Sequence, residues 1–167
     1  MKIPSLVNTA LDAALRPVEV ENSSVDWLRL DINELYVPKE NSAKGRENWK
    51  VALRPETSRL NEAWMEQRAA LPKYDNRHEI WLNQKGNPYD KKTLNDLLRR
   101  LLEKTEINTE NRDLSWYSIR HSTGTYIVED GNLGQANSQL RHESLESTLR
   151  YDHSPTDSRS ETLDDIE

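Results

Sequence analysis

Residues 116–127 read WYSIRHSTGTYI. Taken as a helix, the run sets Tyr117 and Arg120 three apart on one face, and the helical pattern extends from Ser115 to about Glu129. Asp90 to Lys104, just upstream, is the clearest helix in the chain. Leu94, Leu97, Leu98, Leu101 and Leu102 follow the i, i+3, i+4, i+7, i+8 spacing of an apolar stripe and are assigned to the core. Helical patterns return near Leu133 to Leu140 and again from Ser144 to Arg150. Toward the N-terminus, Pro55 to about Leu71 is helical, with Leu60, Ala63, Trp64 and Leu71 on one side. Residues 4–14 carry Leu6, Ala10, Leu11 and Ala14 at the same spacing. Pro17 suits the first position of a new helix, which places Arg16 at that helix's N-terminus.

Strands are few. WLRLDINELYVP, residues 27–38, alternates and breaks at Asp31–Asn33, predicting two short strands. NWKVALR, residues 48–54, predicts a third across the polar turn KENSAKGREN, and EIWL, residues 79–82, is a short apolar island before the turn signal KGNP. The expected fold class is mainly α with a small antiparallel β-sheet. One domain is expected over residues 1–155, followed by an acidic tail over 156–167 that is mobile or docks on another copy.

Composition excludes several chemistries. The chain has 167 residues, enough for one sizeable core, and no cysteine, so disulfides, thiol nucleophiles and thiolate metal sites are ruled out. Its aromatics are five Trp and six Tyr without Phe, so polar-tipped rings carry the aromatic packing. No apolar run approaches the ~18 residues of a membrane span, and the first residues read as an amphipathic helix rather than a signal peptide. A cytoplasmic location is expected. The formal charge is −6, but Asp157 to Glu167 holds five acids and one Arg, a net of −4. The remainder, at −2, is close to neutral and carries two basic strips, Lys39 to Arg54 and Lys91 to Lys104. A near-neutral domain with basic strips can bind phosphates.

The residues suited to phosphate chemistry come in order. ALRPVE offers Arg16 and Glu19, three apart; SAKGRE offers Lys44 in a turn between strands; YSIRH offers Tyr117, Arg120 and His121; LRHESLESTLRY offers His142 and, nine residues on, Tyr151. Each pair alone is common by chance. The ordered set resembles the catalytic domain of the tyrosine recombinases, the phage-integrase family. That family has an Arg box with an acid three later, a β-turn lysine, a second box ending in Arg and usually His, and a Leu-Gly-His step followed by a tyrosine. In this sequence Tyr117 stands where the family often has His or Lys, and Arg141 stands where Gly is usual. The resemblance covers about residues 10–153.

The resemblance implies a site-specific DNA recombinase that cleaves and rejoins strands through a 3′-phosphotyrosine intermediate. Tyr151 is then the nucleophile. Arg16 and Arg120 grip the scissile phosphate as forks that stay charged at working pH. His142 hydrogen-bonds a non-bridging oxygen, and Lys44 is the general acid for the leaving 5′-oxygen, with Lys39 or Lys50 as alternatives. Tyr117 donates a hydrogen bond to the phosphate. Glu19 orients an arginine, and His121, which follows Arg120 and so points about 100° away on a helix, supports structure. Lys91, Lys92, Arg99 and Arg100 are candidates for DNA-backbone contacts. Double-stranded DNA is the expected partner, with self-association on DNA through the C-terminal tail, where Thr162, Leu163 and Ile166 form a small apolar patch. No metal or cofactor is expected. Met1 lies just before the first Arg box, so the family's separate N-terminal DNA-binding domain is expected to be absent.

Geometry constrains one pair. Nine residues of unbroken helix rise ~13 Å and would put His142 and Tyr151 on opposite faces. A break after His142 is therefore expected, with Ser144 as N-cap of a fresh helix and Tyr151 at or past its end. Two other functions fit the residues: a type IB topoisomerase that relaxes supercoils by similar chemistry, and a non-catalytic DNA-binding or regulatory remnant.

Overall fold

The structure is a computed structural model that describes residues 1–41, 48–110, 112–130 and 133–141. Lys44, His142, Tyr151, the helix expected from Ser144, and the acidic tail lie outside the described residues.

Helix α1 spans Lys2–Ala13 and runs through the middle of the domain, with Leu6, Ala10 and Ala13 fully buried. Its buried face is narrow-sided: Ser5, Thr9, Ala10 and Ala13 let neighbours approach closely. Ala14 ends it in the left-handed conformation (φ 47°), and Pro17 opens α2, Pro17–Glu21, as expected. The chain then forms a meander of β1 (Leu28–Arg29), β2 (Glu34–Val37) and β3 (Trp49–Ala52). The sheet is antiparallel in the order β1-β2-β3, with Leu28 opposite Leu35 and Leu35 opposite Val51. Leu35, Val37 and Val51 point inward, the period-2 pattern of a one-faced sheet.

Helices α3 (Pro55–Ala69), α4 (Lys91–Leu102), α5 (Trp116–Asp130) and α6 (Leu133–Leu140) complete the domain. Helix α3 differs from its sequence reading. Its buried face is Thr57, Ser58, Asn61 and Trp64, whereas Leu60 and Ala63 are only half-buried and Leu71 lies past the helix end, 37% exposed. The reason is a polar joint to α1. Ser5 Oγ donates to Asn61 Oδ1 (2.8 Å), Asn61 Nδ2 donates to Thr9 Oγ1 (2.8 Å), and Trp81 Nε1 donates to Ser5 Oγ (3.0 Å). A buried polar group such as Asn61 is tolerable when it is paired in this way, so periodicity of apolar residues understated this face; the Thr57 and Ser58 hydroxyls on it have no hydrogen-bond partner among the described residues.

The island at Ile80, Trp81 and Leu82 is completely buried, and Trp64 Nε1 donates to the Ile80 carbonyl at 2.9 Å. Helix α4 starts at an Asp90 cap whose carboxylate accepts from the Thr93 N–H at 2.7 Å. Leu94 and Leu97 are core; Leu98, Leu101 and Leu102 are half-buried. Among the described residues no helix is long and apolar enough to cross a membrane.

Candidate active site

The last turn of a helix leaves its carbonyls without intrahelical partners and carries the negative end of the helix dipole. In α1 these carbonyls are met by side chains from the C-terminal third of the chain. Leu11 O accepts from Thr123 Oγ1 (2.5 Å) and Asp12 O from Gln139 Nε2 (2.6 Å). Ala13 O accepts from Arg141 Nη1. Ala14 O accepts from both Arg120 Nη1 (2.8 Å) and Arg141 Nη2 (2.9 Å). Helices α5 and α6 thus close on the end of α1, and two guanidiniums share one carbonyl there.

Arg16 follows on the same turn. It is the N-cap of α2, and the Glu19 carboxylate reaches back to it and accepts twice: the Arg16 N–H donates to Glu19 Oε2 (2.8 Å), and Arg16 Nη1 donates to Glu19 Oε1 (3.2 Å). Glu19 is fully buried. Its principal partner is Arg141, which grips it as a fork, Nε to Oε1 at 3.2 Å and Nη2 to Oε2 at 2.5 Å. Burial alone would push the Glu19 carboxyl up; the Arg141 and Arg16 charges and their hydrogen bonds hold it below the usual carboxylate range. A continuous polar chain therefore links Arg120, the Ala14 carbonyl, Arg141, Glu19 and Arg16. This joins the two arginines singled out from sequence, which lie on different helices.

Exposure distinguishes the members. The Arg16 side chain keeps 16% of its surface, while that of Arg141 keeps none. Arg120 is buried, and its Nη2 donates to the Leu140 carbonyl. Leu140 and Arg141 immediately precede His142 in sequence. Gln139 anchors the same segment to β3: its Nε2 donates to Ala52 O (2.8 Å) and its Oε1 accepts from the Ala52 N–H (3.3 Å), so a side-chain amide pairs with the strand edge.

Other sequence candidates are placed differently. Tyr117 shares α5 with Arg120 but not its environment: the ring is 39% exposed, with Lys91 Nζ 5.9 Å from its centre. His121 is exposed. Lys91, Lys92, Arg99 and Arg100 are all exposed, yet they do not form one strip. At about 100° per residue, Lys91 and Arg100 lie on opposite sides of α4. Lys91 is on the Tyr117 side. Arg99 and Arg100 line a cleft of about 1010 Å³ with Lys2, Lys85, Tyr89 and Lys104, and both also bond to Asp96. In that cleft Lys2 is pulled down to about 8 by burial and by the charge of Lys73. In the sequence Arg141 stands out only as an arginine where Gly is usual. The signal that could have revealed its role is three arginines in motif positions against one motif acid.

Three arginines and one glutamate thus meet where the end of α1 is closed by α5 and α6, beside the three-stranded sheet. The Phage integrase family model matches residues 1–157. The chain belongs to the phage integrase family, the tyrosine recombinases. It is 29% identical over 85 residues to the tyrosine recombinase XerD of Corynebacterium glutamicum, covering 50% of this chain and 27% of that protein. The fold matches the crystal structure of XerA recombinase with a TM-score of 0.79 at 18% identity, covering 98% of this chain and 57% of that one. It also matches XerH site-specific recombinase bound to its difH substrate, with a TM-score of 0.77 at 18% identity over 95% of this chain and 45% of that one. The chain spans about a quarter of the curated XerD sequence and little more than half of the XerA structure.

Proposed function

We infer that this chain is the strand-cleaving and strand-joining part of a site-specific DNA recombinase. The observation that carries the reading is the linkage of Arg16 and Arg120 around the end of α1 through Glu19 and Arg141. Two guanidiniums brought together from different helices suit one phosphodiester, and the anchored Leu140–Arg141 step leads directly into His142.

In this mechanism the Tyr151 phenol oxygen attacks the scissile phosphorus. The bond from phosphorus to the 5′-oxygen breaks, and the 5′-oxygen takes a proton from Lys44, with Lys39 or Lys50 as alternatives; both of these are exposed. Water takes the phenol proton. Arg16, Arg120 and His142 stabilise the charge on the non-bridging oxygens, the dominant contribution in a reaction of this kind. Tyr117 donates a further hydrogen bond to the phosphate in this reading. The 3′-phosphotyrosine conserves the ester, so a 5′-hydroxyl from another strand displaces Tyr151 without a nucleotide cofactor. Residues 1–155 form this catalytic unit, which works on cytoplasmic double-stranded DNA. The acidic tail, 156–167, mediates self-association of DNA-bound copies.

Trapping tests the reading. Incubation with a nicked suicide site should yield a covalent protein–DNA adduct that Tyr151→Phe abolishes and Tyr117→Phe diminishes. Absence of any adduct, with DNA binding intact, would leave a binding function without strand transfer; relaxation of supercoils without strand exchange would assign topoisomerase chemistry instead. Deleting residues 156–167 should leave cleavage intact and reduce assembly of multiple copies on DNA, read by sedimentation.

A further inference from the structure

Arg141 has no vacancy for substrate. A guanidinium carries five N–H donors, and all five are engaged: Nε with Glu19, Nη1 with the Ala13 and Gln139 carbonyls, Nη2 with the Ala14 carbonyl and with Glu19. Its backbone is held in the left-handed region at φ 53°, which disfavours any residue with a Cβ and which glycine enters freely. An arginine at this position therefore depends on its side-chain contacts to hold it there: the carbonyls of Ala13, Ala14 and Gln139, and the Glu19 carboxylate as its one charged partner among the described residues.

The consequence is electrostatic. Glu19 is a buried carboxylate whose charge would otherwise be directed at Arg16, the more exposed of the linked guanidiniums. Paired with Glu19 alone, Arg16 would present a neutral couple to an incoming phosphate. Arg141 supplies a second, fully buried positive charge, takes both carboxylate oxygens in a fork, and leaves Arg16 a single side-chain bond to Glu19 among the described residues. The three arginines and one glutamate then carry a net charge of about +2.

We propose that Arg141 is a positioning residue that neutralises Glu19, so that Arg16 holds its fork in place while keeping its positive charge for the phosphate. The inference rests on the reading of Arg16 and Arg120 as phosphate ligands. It concerns anion affinity, so it can fail or survive independently of strand transfer.

The probe is inorganic phosphate, titrated at low ionic strength into the 167-residue chain and read from the Arg16 side-chain N–H resonance by NMR. Removing one positive charge beside an anion site at the edge of the protein weakens phosphate binding about tenfold. Arg141→Met should show that loss. Arg141→Met with Glu19→Gln restores the net charge and should bind as the wild type does, within about twofold. Arg141→Lys keeps the charge without the fork and should also stay near the wild type. A purely structural role predicts instead that the double variant is no better than Arg141→Met. The proposal is overturned if Arg141→Met binds phosphate as tightly as the wild type, or if the double variant gains nothing over it. It is also overturned if the wild type shows no phosphate response at Arg16. Should Arg141→Met fail to fold, the double variant and Arg141→Lys decide: wild-type affinity in both upholds the proposal, and a tenfold loss in either overturns it. Covalent adduct formation by the wild type is measured in parallel. A chain that follows the charge pattern but forms no adduct refutes strand transfer and leaves the role of Arg141 standing.

Discussion

Glu19 is the residue through which the candidate site is tied to stability. Its carboxyl is held below the ordinary range against the cost of burial, so it contributes stability that is fully present above the ordinary carboxyl value, about 4.3. That contribution is lost as pH falls through the depressed folded value. Urea unfolding of the wild type should therefore show midpoints that decline below about pH 4.3. Glu19→Gln removes the titrating group and leaves Arg141 buried without its ion partner. It should be less stable at pH 7 by about 3–5 kcal/mol, with a flatter pH dependence in the acid range. Glu19 and Arg16 were recognisable in the sequence as an arginine and an acid three apart. The bond from Glu19 to Arg141 was not, because the two are separated by 122 positions and no local pattern relates them.

Among the elements, α6 shows how side-chain hydrogen bonds fix the end of a short helix. Its C-terminal residues are held by Gln139 against β3 and by Arg141 against the end of α1. Gln139→Leu removes the amide pair with Ala52 and should speed hydrogen exchange of the α6 amides at least about fivefold, the equivalent of one hydrogen bond of ~1 kcal/mol. The α1–α3 joint makes the same point in the core. Asn61→Ala should lower stability by about 1–3 kcal/mol in urea unfolding, because Thr9 and Ser5 lose a buried partner. Helix positions were legible from prolines and periodicity: Pro17 and Pro55 at first positions, leucines at helical spacing along α4. The buried face of α3 was not, since hydropathy cannot distinguish an asparagine facing solvent from one facing a threonine on another helix.

At the scale of the molecule, the basic residues of α4 fall on different sides. Lys91 lies on the side of Tyr117, and Arg99 and Arg100 border the cleft beside Lys2. If DNA lies across the arginine centre, the cations of α4 contribute unequally. Binding of this chain to duplex DNA should be weak and steeply salt-dependent. Lys91→Ala should reduce the slope of log affinity against log salt by about 1, and Arg100→Ala should leave it unchanged. Equal effects of the two substitutions, measured by fluorescence anisotropy across a salt series, would reject this division.

The order of elements, the three-stranded meander, the helix starts and the ordered arginine, lysine, histidine and tyrosine positions were all set by local sequence. Caps, turns and apolar periodicity act over a few residues and can be read from them. The partnership of Glu19 was decided only in three dimensions. A charge pairs with whichever opposite charge the fold brings within ~3 Å, and once both are buried the nearest fork outweighs a sequence neighbour at the surface. Arg141 reached Glu19 because α5 and α6 close on the end of α1, a contact made across most of the described chain.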